Sequence, residues 1–421
     1  MSINEFFFCV FVCVVITDRS HAGSWGLPDP LAAAGSVVKV IDDGAKTVAS
    51  GAVDGAKATA EVAYAADRQV VKGSKTVLGK VNSGVFDVEK GFVNGLDEVV
   101  GTPVDLKELT FHLVTSKNVG NPTKIDFYKP DDVANTTGKI FFIIHGWQSS
   151  SNASWVQDLA GILVRKHPDA HVVQVNWDGP ASDNYAFAAF DTESVGNFVG
   201  ILVNRLVSEY KVPRENIVLI GHSLGGQICG WAGKKFGEIT GTKLPRIIAL
   251  DPAGPLFILR PDTRRLNKHD AEVVMVIHTD GDKLGFPFNC GTIDFYPNGG
   301  DNQPGCWEVD LGRVATYVEP VTCDHSRAWD FYVEALNTTG SFPSRKCKSF
   351  SDFANNICES IEAAMGDLEL KLQGTFYLET NPNKSYSKLL PKIVDKIKEG
   401  IETIKDEIKE IKDNSTKSVV N

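Results

Sequence analysis

Residues 217–227 read Ile-Val-Leu-Ile-Gly-His-Ser-Leu-Gly-Gly-Gln, and this stretch decides the fold. Ile217–Ile220 is a continuous apolar run, the mark of a strand buried on both faces. Gly221-His222-Ser223-Leu224-Gly225 then turns the chain, and a helix is expected from about Gly226. A Gly-x-Ser-x-Gly pattern alone says little in a chain with 38 glycines. Its place between a buried strand and a helix says much more, because a serine nucleophile needs that tight turn to lift its hydroxyl above the sheet's carboxyl edge. Glycines on both sides let the backbone pass without a Cβ clash. The helix N-terminus behind Ser223 offers N–H groups and partial positive charge to a developing oxyanion.

Serine is a weak nucleophile until a base, itself oriented by an acid, takes its proton. On a sheet of this kind the chain order is serine, acid, histidine. Asp251 ends the strand Arg246–Leu250, and Pro252-Ala-Gly-Pro255 stops the strand there. A carboxylate at a strand's carboxyl end, one crossover after the serine, stands where the acid belongs. Three histidines follow. His269 sits in a polar stretch, while His278 (at the end of Val273–Ile277) and His325 (after Cys323-Asp324) compete evenly on pattern alone. Upstream, Ile140–Ile144 runs into His145-Gly146-Trp147, where a glycine lets the next N–H point at the same oxyanion as the N–H of Leu224. His145 precedes the serine and is read as bracing that loop.

Working outward, residues 106–386 alternate apolar runs with helical stretches. The runs are Ile140–Ile144, Val172–Val175, Ile217–Ile220, Ile247–Leu250 and Val273–Ile277; helical spacing appears near 154–166, 193–210 and 226–236. The alternation predicts an α/β-hydrolase fold, with a mostly parallel central sheet and helices on both faces. Residues 1–22 read as a signal peptide: an apolar run over 6–16, too short to span a bilayer, precedes the small-x-small pattern Ser20-His-Ala22. Residues 23–105 form a Gly/Ala/Val-rich helical extension, and 387–421 a charged helical tail with one isoleucine stripe from Ile393 to Ile411. No further apolar stretch is read as a transmembrane helix.

The net charge of −10 and the lack of basic clusters exclude nucleic acid as a partner. Of eight cysteines, Cys9 and Cys13 leave with the signal peptide. The remaining even set points to disulfides in an exported, extracellular chain. No zinc-type cysteine spacing is present and no cofactor is implied. Glycosylation sequons start at Asn135, Asn152, Asn337, Asn383 and Asn414.

With these residues in hand, the chain resembles the pancreatic-lipase family, especially its secreted insect branch. The matching segments are His145-Gly-Trp147, Val175-Asn-Trp177, Gly221–Gly225, Leu250–Pro255, Val276–Asp280, Asp294–Gly300, Gln303–Cys306 and Cys323–Arg327. The resemblance implies a secreted ester hydrolase with Ser223, Asp251 and His325 as its triad and the N–H groups of Trp147 and Leu224 as oxyanion donors. It implies Cys306–Cys323 as the staple closing a lid and Cys347–Cys358 as a second pair, which leaves Cys229 for Cys290. The calcium site of vertebrate members maps onto Asp262, Arg265, Asn267 and Asp270, with Asn267 replacing a carboxylate, which weakens it; no metal is expected, with calcium at these positions as the alternative. A trailing β-sandwich domain, and with it dependence on colipase, is not expected. A yolk-protein branch of the family lacks the serine and only carries lipid or stores protein; here Ser223 is present, favouring catalysis over a carrier.

The expected partner is lipid at an oil–water or membrane interface. The lid segment Trp307–Thr322 spans 16 residues, between the family's triglyceride lipases and its venom phospholipases in length. That length favours neutral acylglycerols as substrate. The short loop 281–292 keeps an sn-1 phospholipase as the alternative. The two ends fit either helices packed on the catalytic domain or a lipid-adsorbing grip.

Overall fold

The computed structural model describes residues 104–306, 320–338 and 340–388. The signal peptide, nearly all of both terminal extensions and residues 307–319 of the lid lie outside the described residues.

A strand covered on both faces reads as a near-continuous apolar run, and β3 (Ile140–Ile144) is fully buried along its length. Ile140, Phe142 and Ile144 face one core while Phe141 and Ile143 face the other. The other strands are β1 (Thr110–Val114), β2 (Thr123–Lys124), β4 (His171–Asn176), β5 (Ile217–His222), β6 (Leu244–Leu250), β7 (Ala271–Ile277), β8 (Ile293–Pro297), β9 (Pro343–Lys346), β10 (Glu362–Ala364) and β11 (Gly374–Leu378). They form one sheet in the order β2-β1-β4-β3-β5-β6-β7-β8-β11-β9-β10. Pairing is parallel from β4 through β11 and antiparallel at both margins. This is an α/β-hydrolase fold.

Helices α1 (Ser154–Lys166), α2 (Tyr185–Ser208), α3 (Leu224–Thr240) and α4 (Pro320–Asn337) cover the sheet. Val195, Val199 and Leu202 of α2 join Ile228, Ala232 and Phe236 of α3 in one core. Trp155, Leu159 and Leu163 of α1 join Phe331 and Tyr332 of α4 in the other. By length and apolarity α2 could cross a membrane, against the sequence expectation. More than half of its most apolar stretch is buried within the protein, so its apolarity serves the core.

Strand register sets up the site. Ile144 pairs with Gly221, and His222, Leu250, Ile277 and Phe295 pair in succession across β5 to β8. The residues just past these strand ends, among them His145, Ser223, Asp251 and His278, therefore line one carboxyl edge of the sheet. Two helices begin earlier than the sequence pattern indicated. Asn184 caps α2 by accepting the Ala186 N–H, and α3 starts directly after Ser223. Strand β8 escaped the apolar-run criterion because Asp294 interrupts it; that carboxylate is buried against His278.

Candidate active site

The backbone at Ser223 has φ +58° and ψ −124°. A non-glycine residue there costs on the order of 1–3 kcal/mol and persists only where its surroundings fix it. Those surroundings are close. The Ser223 N–H donates to the Leu250 carbonyl at 3.1 Å, and the Ser223 carbonyl accepts from Ala253 at 3.1 Å and Gly226 at 3.0 Å. A Cβ at Gly221 would strike the Gly225 carbonyl, and one at Gly225 would strike the Ile144 carbonyl. The turn from β5 into α3 is thereby pinned to the ends of β3 and β6.

Asp251, also at positive φ, is fully buried. Its Oδ2 accepts from His325 Nδ1 at 2.6 Å. Its Oδ1 accepts from the backbone N–H groups of Thr279 at 2.8 Å and Asp280 at 3.3 Å. Three donors hold this carboxylate in one orientation. His325 stands near the start of α4, its ring centroid 4.5 Å from that of His222. His222 Nε2 lies 3.1 Å from the His325 carbonyl oxygen and must donate to it. Burial, then the nearby His325, holds His222 well below the ordinary imidazole range, so it stays neutral.

The competing histidines stand elsewhere. His278 Nε2 lies 2.9 Å from Asp294 Oδ1, Nδ1 lies 2.9 Å from the Phe286 carbonyl, and the ring stacks on Tyr296 with centroids 4.3 Å apart. Both of its nitrogens are committed to fold contacts. His269 is exposed in the loop before β7. His145 accepts the Trp177 N–H on Nε2, directs Nδ1 at the Gly146 carbonyl and stacks on the Trp177 ring. The Trp177 indole returns a hydrogen bond to the His145 carbonyl at 2.8 Å. Burial pushes His145 down to about 4, consistent with a neutral brace. The braced loop lies over the serine: a Cβ on Gly146 would come 2.7 Å from Ser223 Cβ. Trp147, next in the loop, donates its indole N–H to the Asp183 carbonyl at 2.7 Å, and Gln148 donates its N–H to Ala181 at 2.9 Å. Leu224 is fully buried as the first residue of α3.

Cys306 is joined to Cys323 and Cys347 to Cys358. The expected Cys229–Cys290 bridge is corrected: both are free, buried thiols. Cys229 and Cys290 both belong to one apolar core, and the Cys290 thiol also lies within 4.8 Å of ligand atoms of His278 and Asp294. An even cysteine count does not supply the paired Cβ geometry a bridge needs.

The calcium positions are also spoken for. Both oxygens of Asp270 lie 2.7 Å from Lys234 Nζ, which donates to the Arg265 carbonyl as well. The Arg265 guanidinium pairs with Asp262. Asn267 turns its amide nitrogen, not its oxygen, toward Asp270 and the Asp262 carbonyl. These residues do not fit a calcium ion, which needs free oxygen ligands. The sequence reading overlooked Lys234, a residue of α3 with nothing in its local pattern to mark it. Asp280, Lys283 and Asp324 likewise carry no local signal: Asp280 shares the space around Asp251 and His325, and Lys283 donates to Asp280 and Asp324. Burial, and next to it the charge on Asp251, pushes the Asp280 carboxyl up to about 7.

Comparison with known proteins agrees with this geometry. The sequence signature of the family described as "Lipase" matches residues 93–386. A phospholipase A1 of Vespa crabro is 34% identical over 292 residues, covering 64% of this chain and 93% of that protein. A phospholipase A1 of Vespa velutina is 36% identical over 244 residues, covering 55% and 77% respectively. A lipoprotein lipase of Rattus norvegicus is 32% identical over 313 residues, covering 68% of this chain and 62% of that protein. With its serine turn, acid and imidazole on one edge of an α/β-hydrolase sheet, the chain belongs to the lipase family of carboxylic ester hydrolases.

Proposed function

We propose that the protein cleaves carboxylic esters of glycerolipids through an acyl-enzyme, with Ser223, His325 and Asp251 as its triad. The observation carrying this is the His325 Nδ1 bond to a threefold-held Asp251 beside a serine in the strained strand-to-helix turn. With Nδ1 committed to the carboxylate, Nε2 is the nitrogen left to take the Ser223 proton. Oγ then adds to the ester carbonyl, and the oxyanion is held by the N–H groups of Trp147 and Leu224. His325 returns the proton to the departing alcohol, leaving acyl-Ser223. Water, deprotonated by the same nitrogen, releases the fatty acid and restores the serine.

Two substrate classes have support. Alignment along 93% of a phospholipase A1 favours a phospholipid ester. The 16-residue lid segment favours a neutral acylglycerol. We place phospholipid first, since the lipoprotein lipase alignment leaves over a third of that protein unmatched. Secretion is supported by the N-terminal signal pattern, the two disulfides and the exposure of sequon residues Asn135, Asn152, Asn337 and Asn383. Fatty acid release from triolein and from phosphatidylcholine, measured side by side, tests the substrate. Faster release from phosphatidylcholine supports the reading; cleavage of triolein alone overturns it.

A further inference from the structure

Lys283 lies in the loop after β7, and its ammonium meets oxygens from three separate pieces of chain. Asp280 Oδ1 at 3.3 Å and Asp282 Oδ1 at 3.1 Å belong to its own loop. Asn302 Oδ1 at 3.3 Å lies on the stem leading to Cys306, and Asp324 Oδ2 at 3.3 Å lies at the start of α4. Asp280 and Asp324 are fully buried, and the Lys283 side chain is only 18% exposed. Such desolvated pairs are oriented far more tightly than surface ion pairs.

Each piece touches the reaction centre. The loop supplies the Thr279 and Asp280 N–H donors to Asp251. Asp324 directly precedes His325. Gln303, on the stem, donates its backbone N–H to Asp324 Oδ1 at 2.6 Å and its side-chain amide to the Thr279 carbonyl at 3.0 Å. The Cys306–Cys323 bridge joins stem to helix. One carboxylate oxygen each of Asp251 and Asp280 and one ring nitrogen of His325 lie within 4.8 Å of one another. Two buried carboxylates thus crowd one imidazole, and Lys283 joins one of them, Asp280, to the buried Asp324 that directly precedes that imidazole.

We propose that Lys283 is a positioning residue: its ammonium clamps the loop bearing the acid's hydrogen-bond donors to the start of the helix bearing the base, and supplies the positive charge that balances the carboxylates around that base. This rests on the hydrolase reading above. The charged and titratable groups facing the cluster are Asp251 at the end of β6; Asp280, Asp282 and Lys283 in the loop; Asp301 beside Gly281; His222 at the end of β5; and Asp324 and His325 on α4. Burial works against the Lys283 charge, but Asp280, Asp282 and Asp324 outweigh it and hold the ammonium above its ordinary value. Removing that charge must raise the proton affinity of every acid and imidazole left in the cluster. Because they interact, their ionisations shift together.

The test compares wild type with Lys283→Gln, Lys283→Arg and Asp280→Asn. The kcat and KM for a soluble p-nitrophenyl ester are measured across pH, per active site titrated with a fluorophosphonate. Lys283→Gln is expected to lower kcat tenfold or more with KM within twofold, and to move the acidic limb of kcat to higher pH. Lys283→Arg is expected to restore most of kcat. Asp280→Asn, which removes the negative charge that Asp280 acquires as pH rises through about 7, should move the limb the other way. A Lys283→Gln enzyme with wild-type kcat and limb, however much its melting temperature falls, overturns the clamp. So do limbs that shift in the same direction in both charge variants. Should Lys283→Gln fail to fold, Asp280→Asn decides alone, and an unmoved limb there refutes the proposal. A wild type that neither turns over ester nor takes up the fluorophosphonate sinks the hydrolase reading itself, whereas an active wild type with unmoved limbs sinks only the clamp.

Discussion

Gly285 is neither nucleophile, acid nor base, yet a single methyl group there is expected to cripple the enzyme. A Cβ on Gly285 would lie 2.5 Å from Asp251 Oδ1, 2.6 Å from Oδ2 and 2.8 Å from the carboxyl carbon. The carboxylate cannot easily retreat, since His325 and two backbone N–H groups hold it. The glycine cannot easily retreat either. Its N–H donates to the Asp280 carbonyl at 2.8 Å, and it is bridged to Ala253. Opening the gap to ordinary carbon–oxygen contact requires about 0.9 Å of displacement, shared between a buried loop and the acid. Misplacing a reacting group by about 1 Å costs on the order of a hundredfold, so Gly285→Ala is expected to lower kcat about 10- to 100-fold. The assay is p-nitrophenyl butyrate hydrolysis per folded molecule, with melting temperature measured in parallel. Gly237→Ala is the control. Its added Cβ meets nothing closer than 3.6 Å, and alanine in a helix gains about 0.5–1 kcal/mol over glycine. Wild-type kcat in Gly285→Ala would refute the claim that a fixed Asp251 carboxylate governs the rate.

Two further outcomes follow from buried charge. The Asp280 carboxyl is raised to about 7, chiefly by burial, so its contribution favours the fold below its ordinary value of 3.8 and is lost as pH rises through about 7. Asp280→Asn should therefore melt higher than wild type at pH 8, with the advantage shrinking toward pH 5; an advantage that grows toward pH 5 contradicts this. Lys234 neutralises the buried Asp270, and removing one partner of such a pair costs about 3–5 kcal/mol. Lys234→Ala should melt well below wild type, while calcium and chelator leave wild type unmoved; a chelator-sensitive wild type contradicts the account.

The parallel core was legible in the sequence because strands buried on both faces read as near-continuous apolar runs, and Ile140–Ile144 and Ile217–Ile220 show it plainly. The serine turn was legible because its glycines are required by contacts that any strand-to-helix turn of this shape makes. The base was not legible from pattern: His278 and His325 each follow a plausible element, and the family resemblance, not periodicity, favoured His325. What separates them is Asp294, a buried carboxylate on the neighbouring strand that takes one His278 nitrogen for the fold. The cation clusters were invisible for a related reason. Lys234 acts on a carboxylate 36 residues away, and Lys283 reaches beyond its neighbours Asp280 and Asp282 to one 41 residues away, a relation that no local window contains.

Ser223 as nucleophile is the central claim, and covalent capture tests it most directly. Purified protein is treated with a fluorophosphonate, digested, and the adduct located by mass spectrometry, with Ser223→Ala beside it. A single adduct on the peptide containing Ser223, with labelling and ester hydrolysis both lost in Ser223→Ala, is the expected result. Undiminished labelling or hydrolysis in Ser223→Ala would contradict the account.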